Sequence, residues 1–284
     1  MSTSRSDRGF SLVELVVALG IVGITLASAV PFFALHARKM KGAAFRLEAQ
    51  QGMRASLDAM ARDIRLAGAC LPTAGRFVAL EGADGATGDR ITVRAGIVQQ
   101  GTSCVTAGLS AAANAGDTAV QVADATPFAG AKIVFVSHPN GSGELQDVTG
   151  TSATTISLGA GLSQAYPGPA TQGNPSNPAN VIAVDERIYQ LDKTDPNNPL
   201  LTLTVNRTAP QAFAVGVTDL QIRYTLDRNC PPCDVVDLPP DTATWWLVND
   251  VLLTAAVTTV GTVRPEDRVT FVANTRAKPR NLLP

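Results

Sequence analysis

An uncharged run from Leu15 to Leu35 constrains this chain more than any other feature. It sits in the stretch GFSLVELVVALGIVGITLASAVPFFAL, Gly9 to Leu35, whose one charged residue is Glu14. A helix needs about 20 mostly apolar residues to cross a bilayer, so this run is long enough to span one. Three residues set it apart from a plain anchor. Gly9 immediately precedes the run, Glu14 lies inside it, and Pro31 interrupts its far end. The leader before it, MSTSRSDRG, carries Arg5 and Arg8 against Asp7. Basic residues ahead of an apolar segment keep that end in the cytoplasm. A secretory signal peptide is one reading, with Ala27-Ser28-Ala29 as a cleavage-site mimic, but such segments have shorter apolar cores. A simple signal anchor fits the length and leaves Glu14 unexplained. A carboxylate costs about 2.5–3.5 kcal/mol at mid-bilayer and is ordinarily functional there.

The totals narrow the classes. A net charge of -1 over 284 residues gives no electrostatic case for nucleic acid. A charged fraction of 17%, with 24 Gly and 18 Pro, suits a loop-rich and strand-rich exported domain. The four cysteines, Cys70, Cys104, Cys230 and Cys233, suggest disulfides outside the cytoplasm. The two histidines, His36 and His138, are far apart and have no ligand neighbour in sequence.

Beyond Arg38 the pattern becomes amphipathic. Phe45, Ala49, Met53, Leu57, Met60, Ile64 and Ala67 recur at three- and four-residue steps, which predicts one apolar helix face. Arg54, Asp58 and Arg62 form a charge ladder on another face, continued by Arg62-Asp63-Ile64-Arg65. Gly68 suits a C-cap and Pro72 forbids continuation. The expectation is one helix from Phe10 to Ala67 with a bend at Pro31, where an amide donor is lost. A separate coiled-coil stalk over residues 38–67 is the alternative; the small residues Ala43, Ala44, Ala55, Ala59 and Ala61 and the lack of sustained heptads count against it.

After Pro72 short alternating runs predict strands at Arg76–Leu80, Arg90–Val98, Thr118–Val122, Lys132–Ser137, Leu145–Thr149 and Thr154–Leu158. Asn140-Gly141 and Gly82–Gly88 read as turns. Residues 114–158 read as an inserted β-hairpin subdomain, and Ser163–Asn180 as loop. Further strands are expected at Val181–Leu191, Leu201–Asn206, Val217–Leu226, Trp245–Leu253 and Arg268–Ala273, with Asn274–Pro284 as a tail.

Catalytic and metal constellations are scarce. Cys230-Pro231-Pro232-Cys233 has thioredoxin spacing, but two prolines fill the gap and no helical pattern follows. A small disulfide loop is the preferred reading, and Cys70 with Cys104 is then the default second bridge, tying the helix end to the sheet. Four cysteines allow three pairings, so the connectivity stays open. Zinc would need a second ligand pair at suitable spacing. Asp192, Asp195, Asn197 and Asn198 could be calcium ligands, yet they lack the Gly and terminal Glu of an EF-hand loop and suit a Pro-rich turn. Asp185-Glu186-Arg187 reads as a charged strand end. In an alternating strand, one of Trp245 and Trp246 would face the core and the other solvent. No Ser-His-Asp set, phosphate loop or metal triad is visible, so neither an enzyme nor a cofactor is expected.

Gly9-Phe10-Ser11-Leu12-Val13-Glu14-Leu15 resembles the prepilin processing motif of type IV pilins and of type II secretion pseudopilins. The resemblance implies that prepilin peptidase cuts between Gly9 and Phe10 and N-methylates Phe10. Glu14 of one subunit would then meet the Phe10 amine of a neighbour, each charge compensating the other in an apolar setting. Leu57–Gly68 and Val217–Leu226 resemble segments of PilW-like minor pilins and of J-type minor pseudopilins. The expected fold is therefore α+β and pilin-like. It has a leader over 1–9, a helix over 10–68 with 10–35 as transmembrane or filament core, a β-rich head over 72–273 and a tail over 274–284. The implied partners are prepilin peptidase, other major and minor pilins or pseudopilins through the helix, and the inner membrane before assembly. The head would lie in the periplasm and then outside the cell on a pilus. A filament-borne adhesin or DNA-uptake receptor is an alternative of another class, and no basic cluster in the sequence favours it.

Overall fold

The computed structural model describes residues 11–72, 79–85, 88–99, 103–169, 177–227, 234–259 and 268–282. Helix α1, Leu12–Leu66, is a single element of 55 residues, about 80 Å long at 1.5 Å per residue. It runs unbroken through Pro31. It ends one residue earlier than the sequence suggests. Gly68 takes the left-handed conformation (φ 78°), its N–H donates to Arg94 O at 2.9 Å, and a Cβ there would meet Asn281 O at 2.8 Å. A glycine alone meets both demands without strain.

The buried stripe of α1 is Met53, Leu57, Met60, Ala61 and Ile64, with Ala67 just beyond the end. Ala49 packs partly against the same core, while Phe45 lies exposed above the head. The expected apolar face is therefore present, but shorter at its N-terminal end.

All pairings among the described strands are antiparallel. The first sheet comprises β1 (Leu80–Ala83), β2 (Arg90–Gly96), β3 (Thr106–Gly108), β4 (Ala119–Gln121), β5 (Ile133–Ser137), β6 (Gly143–Thr151), β7 (Thr155–Leu158), β8 (Asn180–Asp192), β9 (Leu200–Val205) and β10 (Gln211–Val215). Its path is β1-β2-β8-β5-β6-β7-β4, with β3 and β9 also on β8 and β10 on β9. The second sheet has β11 (Val217–Leu226), β12 (Asp234–Val236), β13 (Val248–Thr258) and β14 (Thr270–Ala277), in the order β12-β11-β13-β14. The fold is thus α+β, one long N-terminal helix on antiparallel sheets.

Two apolar cores result. The larger joins the C-terminal part of α1 to both sheets. The smaller gathers Val105, Leu109, Val120, Phe128, Ile156, Leu162, Tyr166 and others. Strands β5 and β8 serve both. Val134, Val136, Val181 and Ala183 enter the smaller core, while Ile133, Phe135, Ile182 and Val184 enter the larger. Alternation of side chains along a strand makes this division possible.

Several expectations need correction. The hairpin unit is wider than residues 114–158, because its core recruits Val105 and Leu109 before it and Leu162, Tyr166 and Ala179 after it. Tyr166 and Ala179 therefore anchor the stretch that reads as loop. Strand β1 starts at Leu80 and takes in Gly82 and Ala83, which read as turn; residues 76–78 of the expected strand lie outside the described residues. Gly82 pairs with Ile91 in this strand, and glycine is required there because a Cβ would press on Tyr224 and Trp245. Trp245 closes a helical turn, α2 (Thr242–Trp245), instead of opening a strand; Asp241 caps this turn by accepting from Thr244 N at 2.7 Å. Trp245 is buried edge-on against Tyr224, and Trp246 is half-buried against the same core.

The expected tail is also partly structured. Strand β14 continues to Ala277, paired with Val251, and Leu282 is buried. The segment between them lies over the end of α1, where Arg280 N donates to Arg65 O and Asn281 Nδ2 to Ala67 O, each at 3.4 Å. Helix ends leave carbonyls without partners, and this segment meets two of them.

Candidate functional site

The N-terminal half of α1 has no cover of its own. Leu12 is 79% exposed, Ile24 73% and Phe33 69%, and among the described residues nothing packs on the apolar span. The helix is long and apolar enough to cross a membrane by length and composition. The two hydroxyl side chains within this span bond to the helix itself. Thr25 Oγ1 donates to Val22 O and Ser28 Oγ to Thr25 O, both at 2.9 Å. Such internal bonding is what an apolar medium demands of a hydroxyl. At the far end His36 packs against Phe32 with ring centroids 4.3 Å apart and the ring planes tilted by 60°. Glu14 lies in the first turn on the exposed surface. Its proposed partner Phe10, together with Gly9, lies outside the described residues.

The C-terminal half is held onto the head by a polar clamp inside the apolar contact. Asp63 on α1 is only 4% exposed. It accepts from Arg187 Nη1 at 3.0 and 2.9 Å and from the Tyr189 hydroxyl at 2.6 Å, both on β8. Asp185 accepts from Arg187 Nε at 3.0 Å, completing the set. A buried carboxylate is tolerable only with such pairing. Burial raises the Tyr189 phenol well above its ordinary value, aided by Asp63 and opposed by Arg187. Burial works to lower the Arg187 guanidinium, yet bonding to Asp63 and the charges of Asp63 and Asp185 carry it above its usual value. Both shifts favour the charged guanidinium and the neutral phenol, which are the forms that donate to Asp63 in this clamp.

Asp185-Glu186-Arg187 therefore lies inside a strand and not at its end. Glu186 is buried, and Arg94 Nε donates to it at 2.7 Å while Arg94 Nη2 donates to Glu81 at 3.0 Å. Arg207, in the turn after β9, reaches Glu186 and Asp147. The sequence reading missed Asp63 as a contact residue. The available signal was its position, three residues after Met60 and four before Ala67, within the apolar face.

Cys70 and Cys104 form a disulfide with Cα atoms 5.7 Å apart, which ties the segment after α1 to the stretch before β3. Cys230 and Cys233 lie outside the described residues. The candidate calcium ligands bond locally. Asp192 accepts from Thr194 N and Oγ1, and Asp195 from Asn197 N and Asn198 Nδ2. These bonds hold both carboxyls below the usual range, Asp192 through Thr194 and Asp195 through Asn198 and Asn197. Among the described residues no group of three or more His, Cys, Asp or Glu is placed to hold a metal ion. His138 uses Nδ1 to accept from Asn140 N at 3.1 Å.

Comparisons with known proteins bear on the uncovered end. Residues 4–30 match the family model described as the prokaryotic N-terminal methylation motif. No curated protein matches the chain significantly. A solved structure, the type IV-like pilin TTHA1219 from Thermus thermophilus, is similar over 82% of this chain and 97% of the other, at 8% identity and a TM-score of 0.37. A score that low carries no fold across, so the architecture stands on the helix and sheets described above. The methylation motif heading a bare apolar helix supports a type IV pilin-like or pseudopilin-like subunit.

Proposed function

We propose that this chain is a minor pilin, a low-copy subunit that assembles into a type IV pilus at initiation or at the tip. The observation that carries the reading is the methylation motif at residues 4–30 joined to a helix half that the chain leaves uncovered. Prepilin peptidase cleaves between Gly9 and Phe10 and N-methylates Phe10. The apolar half of α1 sits in the inner membrane before assembly and exchanges lipid for neighbouring subunit helices afterwards. Glu14 receives the Phe10 amine of a neighbour, and Pro31 bends the helix within the packed filament. The protein acts as structure and as a substrate of processing, with no chemistry of its own. A head with two cores is large for close packing along a fibre, which supports a minor over a major subunit.

A J-type minor pseudopilin of type II secretion is the second reading, supported by the resemblance of Leu57–Gly68 and Val217–Leu226 to both families. Gene deletion separates them. Loss of pili and twitching with intact enzyme secretion supports the first reading, and the reverse pattern supports the second. For the assembly contact, Glu14→Ala should leave cleavage intact and reduce incorporation into filaments, scored by sheared-filament immunoblot. Normal incorporation of that variant overturns the role given to Glu14.

A further inference from the structure

We propose that a cationic collar on α1, between the apolar run and the head, seats on the headgroups of anionic phospholipids in the leaflet that faces the head. This rests on the reading of α1 as membrane-resident before assembly. Residues 36–47 carry Arg38, Lys39, Lys41 and Arg46 and no carboxylate; the next acid is Glu48. Lys39, Lys41 and Arg46 are exposed on the helix surface. No carboxylate stands three or four residues from any of them, the spacing at which helical side chains pair. Among the described residues no ion pair reaches them. The collar is therefore a stretch of one sign whose counter-charge must come from outside the chain.

Its place along the helix points to the source of that charge. From Leu12 to Leu35 the helix is about 36 Å long, enough for a hydrocarbon core about 30 Å thick. His36, packed against the ring of Phe32, is the first polar side chain after Ser28. Lys39 and Lys41 follow Leu35 by about 6 and 9 Å, and the headgroup layer on each face is about 5–8 Å thick. Their flexible stems can lie along apolar surface while the ammonium groups reach phosphate oxygens. Arg46, about 16 Å beyond Leu35, stands about one Debye length above that layer. A second copy of the chain fits this stretch poorly. It brings no carboxylate between Leu15 and Glu48, so two collars at one level repel. Anionic headgroups complement the collar, and each basic side chain near such a surface favours the contact about fivefold.

The test uses the full chain, as wild type and as the triple variant Lys39→Gln, Lys41→Gln and Arg46→Gln. Each is reconstituted in vesicles of phosphatidylcholine and phosphatidylglycerol with a trace of one spin-labelled lipid. Electron paramagnetic resonance then reads the fraction of that lipid held immobile by the protein. Wild type should prefer phosphatidylglycerol over phosphatidylcholine by about fivefold or more. The preference should fall below about twofold in the triple variant, and also in about 1 M salt, where the Debye length is about 3 Å. The three side chains belong to neither apolar core, so the variant should keep the melting temperature of the head.

A chain that resists alkaline extraction yet shows a wild-type preference below about twofold overturns the proposal and leaves the membrane reading standing. A chain that alkali extracts overturns the membrane reading and this proposal with it. A triple variant that keeps the wild-type preference also overturns it. Lost filament incorporation of the variant, with no lipid preference in the wild type, assigns the collar to an acidic neighbouring subunit instead.

Discussion

Residues 12–35 and 49–66 of α1 belong to one helix and meet opposite environments. Over the first segment every large side chain is exposed. Over the second, Met60 and Ile64 are fully buried and Asp63 is fastened to Arg187 and Tyr189. Side chains of similar hydrophobicity therefore do different work. In the second segment they hold the head together. In the first they contribute nothing to the stability of the lone chain, and their apolar area is left for lipid or other subunits. A helix stable in isolation is uncommon in water, so the second segment's packing and the first segment's apolar medium each supply what propensity alone does not.

Truncations along the helix can break this contrast. The largest expected effect is Met60→Ala, which opens a cavity in the larger core and should cost about 2–5 kcal/mol in chemical denaturation of the detergent-solubilised chain. Asp63→Ala comes next. It leaves Arg187 and the Tyr189 hydroxyl facing an apolar helix. Fully buried pairs lose about 3–5 kcal/mol on such a change, and a third-exposed Arg187 reduces this to about 2–3 kcal/mol. Asp63→Asn, which can still accept from Tyr189, should lose less. The smallest effect is Leu19→Ala, which should change head stability by no more than about 0.5 kcal/mol while lowering filament incorporation. A head destabilised by Leu19→Ala as much as by Met60→Ala would collapse the distinction between the two segments.

How much of this was legible in the residues can be argued from particular cases. The buried stripe from Met53 to Ile64 follows from three- and four-residue spacing, because helix geometry maps that spacing to one face. Strand β11 follows from the alternation in VTDLQIRYTL. Strands β3 and β12, three residues each, carry too short a pattern to stand out, and β10 starts directly after a Pro-containing turn. Trp245 was misread because two adjacent aromatics suit a strand, while the cap that makes a helical turn is a lone Asp241 four residues earlier. The tail was misread because Ala277 and Leu282 belong to no periodic pattern, and the pairing with β13 and the end of α1 that order this segment come from far along the chain.

The sequence by itself determined the division of labour along α1: an apolar run long enough to cross a membrane, a methylation motif at its head and an amphipathic half behind it. These are local facts of composition and period, readable without a partner. The tertiary structure decided which polar groups became fastenings. Asp63, Glu186 and Asp89 look like ordinary surface carboxylates in sequence. Each becomes structural only when strands more than 90 residues away in two of these cases, and 133 in the third, bring a donor within 3 Å. Long-range pairing of this kind leaves no periodic trace, because it depends on register between sheets rather than on neighbours along the chain.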